Sequence, residues 1–227
     1  MERGVLRPGG IWLAIGLLIL IVLVFAGIRV ATDLPNVLGG RLPDPESFER
    51  RYAEFPWLAY AHVAPGVLYL LLAPIQLWRG FRVRHYAWHR RIGRVAVLAG
   101  LVAGVFGIVF GIFLAFGGAL QAAASVVFGA WFVTALTMAY RSIRRGDRRA
   151  HRRWMIRVFA IGLAVGTIRI WIGLFEALGL LGFRDAFGIA FWLAFSMHAL
   201  AAELWLRWRP WPGEALPPSP APVEAPS

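Results

Sequence analysis

IWLAIGLLILIVLVFAGIRVA, residues 11–31, is twenty-one residues long and carries one charge, Arg29, near its end. At 1.5 Å per residue a helix of this length spans about 30 Å, the thickness of a bilayer's hydrocarbon core. Arg3 and Arg7 precede it as they would precede a signal peptide. The apolar run is too long for that, however, and no small-x-small cleavage site follows, so it reads as a retained helix. Five further apolar runs of similar length follow, over about 57–78, 92–116, 119–140, 154–176 and 186–207. Of the 227 residues 59% are hydrophobic and 16% charged, more apolar surface than one soluble core of this length can hide. The fold expected is an all-α polytopic bundle of six transmembrane helices, occupying 1–209. The proline-rich segment 210–227 reads as a disordered cytoplasmic tail.

The chain has no cysteine, which removes disulfides, thiolate metal sites and iron–sulfur clusters. All 24 basic residues are arginine and the net charge is +12. The arginines cluster at the ends of apolar runs, a pattern of membrane topology rather than of nucleic-acid binding. Fourteen lie in or beside the connections between spans two and three and between spans four and five. The positive-inside rule puts both connections in the cytoplasm, and both termini with them. In the loop over 32–56, Asp44-Pro45-Glu46 reads as a helix start, with Phe48, Tyr52 and Phe55 on one face. This reads as a short amphipathic helix on the outer membrane surface or as a mobile loop.

An offset of 62 residues superposes His89-Arg90-Arg91 on His151-Arg152-Arg153, and Gly100, Leu101 and Gly104 on Gly162, Leu163 and Gly166. Helices 3–4 and 5–6 therefore read as a duplicated hairpin.

Arg169, deep in the fifth span, shares a helical face with Gly162, Gly166, Gly173 and Glu176. A glycine face is a packing face, so the guanidinium should point into the bundle, tied to Glu176 or serving a ligand. In the second span His62, Gly66, Tyr69, Ala73 and Gln76 form a small or polar stripe, at a depth where His62 could meet Arg169. A ligand site of His62, Tyr69, Arg169 and Glu176 is the expectation. A second site is a cytoplasmic collar of His89, Arg90, Arg94, His151, Arg152 and Arg157, which would attract anionic lipid headgroups. His85 and His89 have metal-ligand spacing, but the surrounding arginines repel a dication and no metal site is assigned. Haem b needs two histidines at one depth; His89 with His151, or His62 with His198, are the candidate axial ligands. Glu203 can pair with Arg207 one turn on. Nucleotide-binding glycine patterns, zinc-protease motifs and nucleophile elbows do not occur.

The ordered set His62-x3-Gly66, Ala73-Pro74-x-Gln76, His89-Arg90-x2-Gly93-Arg94, His151-x2-Trp154-Met155-x-Arg157 and Arg169 resembles the bacterial membrane proteins grouped as domain of unknown function 2306. The resemblance implies a multi-spanning protein of the bacterial inner membrane and brings no activity with it. The layout is also loosely similar to the helical bundles of b-type cytochromes, at the level of fold alone. Two functional readings stay open: a redox component that binds haem or quinone, and a protein that binds or moves a small anion or lipid headgroup.

Overall fold

The computed structural model describes residues 8–208, so the tail over 210–227 lies outside the described residues. Among the described residues eight helices follow one another: α1 (Pro8–Leu38), α2 (Arg50–Glu54), α3 (Pro56–Leu77), α4 (Arg79–Arg84), α5 (Tyr86–Phe113), α6 (Gly118–Arg144), α7 (Arg148–Ala177) and α8 (Phe183–Trp208). Six of them, α1, α3, α5, α6, α7 and α8, are long and apolar enough to cross a membrane. Several run past the apolar blocks. α5 starts six residues before its block, and α1 continues seven residues past its own. Arginines at a span's end keep their heads in water while their stems cover apolar surface, so they do not stop the helix.

Short turns reverse the chain. Gly146, with φ +80°, joins α6 to α7, and Asp147 then caps α7 by accepting from the Ala150 N–H at 2.8 Å. Gly179, with φ +63°, ends α7 before α8. The result is a bundle with an arginine end, holding α4 and the α6–α7 turn, and an opposite end holding α2.

Small residues set the packing. Without a hydrophobic drive between helices in lipid, close backbone approach is what holds spans together. On the α5–α6 face Gly104 lies under Val133 and Phe132, and Gly129 under Ile108. α3 packs along α5, α7 along α8, and α6 against α5, α7 and α8. α1 touches only α2, α3 and α7, seating its Leu18 carbonyl on Gly166. Leu13, Leu17, Leu20, Val24 and Ile28 of α1 are left exposed, an apolar surface suited to acyl chains rather than water.

The segment before α3 differs from the expected surface helix. Asp44 Oδ1 accepts from the Glu46 N–H at 2.8 Å and the Asp44 carbonyl from the Ser47 N–H at 2.9 Å, so Asp-Pro-Glu folds as a turn. Helix begins only at Arg50 and lasts five residues. Phe48 and Tyr52 point into the bundle. Phe48 meets Phe116 edge-on at 5.3 Å between ring centres and Phe187 at 5.3 Å, while Tyr52 meets Phe110 at 5.3 Å. Aromatic rings bury more area in that pocket than along a membrane surface, so the segment plugs the end of the bundle.

Candidate functional site

The stripe on α3 meets a matching row of glycines on α5. A Cβ on Gly93 would lie 3.1 Å from Gln76 Oε1, one on Gly100 3.1 Å from the Tyr69 ring, and one on Gly107 2.7 Å from His62 Nδ1. His62, Tyr69 and Gln76 are seven residues apart, as are Gly107, Gly100 and Gly93. Each large polar side chain therefore drops into a gap left by a missing Cβ, one heptad after another. Gly162 of α7 touches the other edge of the Tyr69 ring, again at 3.1 Å for an added Cβ.

His62 Nδ1 lies 2.8 Å from the Ala103 carbonyl oxygen. A carbonyl only accepts, so Nδ1 carries a proton, and in the neutral ring Nε2 is the acceptor. Tyr69 is 2% exposed and packs edge-on against Phe132 at 5.5 Å. Its hydroxyl is buried with no hydrogen-bond partner, and so is the Gln76 amide nitrogen.

Beside this stripe lies a cavity of about 240 Å³, largely apolar, bounded by α1, α3, α5, α6, α7, α8 and the plug. His62, Tyr69, Arg169 and three residues absent from the expected site, Arg29, Arg51 and Tyr52, line it. Arg169 lies seven residues beyond Gly162 on α7, and His62 seven before Tyr69 on the antiparallel α3. The two therefore share a level about 10 Å nearer the α2 end than Tyr69.

The three guanidiniums differ in what they touch. Arg29 is held by Glu49 at 3.1 Å, by Asp33 at 3.5 Å and by the Thr32 hydroxyl at 2.7 Å. Asp33 is 0% exposed and also accepts from the Tyr60 hydroxyl at 3.1 Å. Arg51 donates to the Phe48 and Leu114 carbonyls at 3.1 and 3.0 Å and lies over the Phe116 ring at 4.4 Å. Burial brings it down to about 10, so it is still charged at neutral pH. Tyr52 beside it is pushed up by burial, while the guanidiniums of Arg169, Arg29 and Arg51 pull the other way. Arg169 lies over the Phe25 ring at 5.2 Å, and among the described residues it has no carboxylate and no hydrogen-bond partner.

Other expected site residues lie elsewhere. Glu176 is exposed and away from the cavity, and Gly173 beside it faces open space. Glu203 does not pair with Arg207 as expected; it takes Arg157 of the neighbouring helix in a two-pronged ion pair at 2.6 and 2.9 Å. Arg157 also covers the Trp154 ring, so α7 and α8 are tied there. His151 Nδ1 meets the Ala139 carbonyl at 2.9 Å. His89 stacks on Tyr86 near Arg82 and His151. Arg90 and Arg94 are exposed at the same end, and Arg152 is half-buried there. His198 Nε2 lies 2.8 Å from the Thr167 hydroxyl. Of the four histidines weighed as haem ligands only His62 lines the cavity, so the paired axial ligands of a b-type haem are not brought together in it.

The family described as predicted membrane protein, DUF2306, matches residues 59–206, from the start of α3 almost to the end of α8. The chain belongs to this family. The DUF2306 region thus supplies His62, Tyr69 and Arg169, while α1 and the plug, which supply Arg29, Arg51 and Tyr52, precede it. No curated protein and no solved structure matches the chain.

Arg29 and Asp33 were legible in principle: an arginine and an aspartate four apart at the end of a span are an i,i+4 pair. The apolar block ends before Asp33, and that placed the aspartate in a loop.

Proposed function

We propose that this is a membrane protein that binds an anion or anionic headgroup inside the bundle, against Arg169. One observation carries the reading. A guanidinium faces a largely apolar cavity, within a span, and among the described residues it makes no ion pair and no hydrogen bond. A charge in such a place costs several kcal/mol unless something pairs with it. Arg29 is charge-paired with two carboxylates, though its Nη1 makes no hydrogen bond, and Arg51 donates to two carbonyls; Arg169 is satisfied by what binds. The arginine end faces the cytoplasm of a bacterial inner membrane, where Arg90, Arg94, Arg152 and the two histidines His89 and His151 meet anionic headgroups. Arg157, committed to Glu203, contributes structure there instead.

Quinone is a second reading, favoured by the bare His62 Nε2 and the buried Tyr69 hydroxyl in an aromatic-walled cavity. Mass spectrometry of protein released intact from membranes in mild detergent separates the two. An anion lost in Arg169→Gln and kept in Arg169→Lys supports the anion site. A neutral quinone that survives Arg169→Gln supports the second reading, and identical spectra for all variants would sink the first.

A further inference from the structure

Resting on the anion-site reading, we propose that the occupant is a single-chain lipid with a carboxylate head and a polar oxygen partway down its chain. It reaches Arg169 from the bilayer past Phe25.

The cavity limits the body of the ligand. An apolar cavity of about 150 Å³ takes one benzene, so about 240 Å³ holds on the order of ten carbons. One chain fits, with any excess length trailing into lipid; the two chains of a phospholipid do not fit in it side by side.

The free charge fixes the head. Arg29 already has two carboxylates, and Arg51 donates to two backbone carbonyls. One guanidinium is left without a partner, which matches a monoanion. A carboxylate also suits its planar fork, whereas a phosphate dianion would keep an unbalanced charge in low dielectric. A tail gains little by moving from bilayer to cavity, because both are apolar. Selection therefore rests on polar contacts.

The second polar contact is Tyr69. Its hydroxyl is buried and unpartnered, and its backbone lies about 10 Å from the level of Arg169. A bare acyl chain would leave that donor unsatisfied; a hydroxyl or keto oxygen midway along the chain would satisfy it.

The route follows from α1. Phe25 is 42% exposed on the lipid side, and the Arg169 guanidinium lies 5.2 Å from its ring centre. α1 supplies the wall between α3 and α7 and touches no other span. One aromatic side chain separates the head site from the bilayer.

The test places the whole protein in nanodiscs and offers acetate, stearate, 9-hydroxystearate or two-chain phosphatidate, with bound ligand read by mass spectrometry. The expected result is one 9-hydroxystearate per protein, bound about tenfold better than stearate, the factor one buried hydrogen bond supplies. Tyr69→Phe should erase that preference, Arg169→Gln should abolish binding, and Ala26→Trp, which fills the cavity from α1, should exclude the chain while acetate still binds. Phosphatidate bound through Arg169, or no preference between stearate and its hydroxy derivative, overturns the proposal and leaves the anion site standing. If no carboxylate, acetate included, depends on Arg169, both fall.

Discussion

Gly100 and Gly162, sixty-two residues apart in the chain, touch opposite edges of one side chain, the ring of Tyr69. The glycines belong to α5 and α7, so two spans converge on α3 where its ring is buried. A Cβ on Gly100 would also lie 2.8 Å from Leu136 Cδ2, whereas one on Gly162 meets nothing closer than the ring at 3.1 Å. Gly100→Ala should therefore cost about 1–3 kcal/mol through overpacking, and Gly162→Ala visibly less. Thermal unfolding in detergent would show the order; equal losses would mean that α5 and α7 yield alike.

Tyr69→Phe should raise the stability of the ligand-free protein. The hydroxyl has no partner, and an unsatisfied buried donor costs about 1–3 kcal/mol. If melting of delipidated protein instead falls on losing the hydroxyl, a partner such as trapped water holds it.

Asp33 holds Arg29 and Tyr60 together at the α2 end. Asp33→Leu leaves a buried guanidinium with one carboxylate fewer and a phenol without an acceptor. A loss of about 3–5 kcal/mol is expected, with α1 coming loose first. Hydrogen exchange along α1, compared with α7, would locate the damage; uniform exchange across both helices would speak against a local latch.

Arg157 and Glu203 give a smaller effect. Their two hydrogen bonds are short, but the glutamate is partly exposed and water screens the pair. A double-mutant cycle with Arg157→Gln and Glu203→Gln should give a coupling of about 1 kcal/mol. A coupling near zero would reduce Arg157 to its packing over Trp154.

The spans were legible because length and apolarity are properties of single segments. The inward face of α3 was legible too, and that of α7 as far as Arg169, because helical period decides which residues share a side. Partners were not. The sequence around Glu203 offers Arg207 one turn away, yet α7 brings Arg157 closer, and no local pattern encodes that meeting. The plug was misread for the same reason. Phe48 and Tyr52 share a side as an amphipathic helix would require, but what they cover, Phe116, Phe187 and Phe110, comes from turns and helix ends far along the chain. Glu176 shows the limit of a face: it lies on Arg169's side of the helix and beyond the cavity's edge.

The three sockets on α5 also set a phase. One alanine inserted between Tyr69 and Gln76 would turn everything before it by about 100° relative to Gln76. His62 and Tyr69 could then not reach Gly107 and Gly100 while Gln76 kept Gly93. Seven inserted residues would nearly restore the angle but displace the pair by a whole heptad, putting Tyr69 at the glycine meant for His62 and His62 at the level of Leu114, past the last glycine. α3 is thus intolerant of any change in length between its polar side chains, though it accepts many changes of side chain on its lipid side. In related chains, insertions and deletions should gather in the connections and spare this ladder.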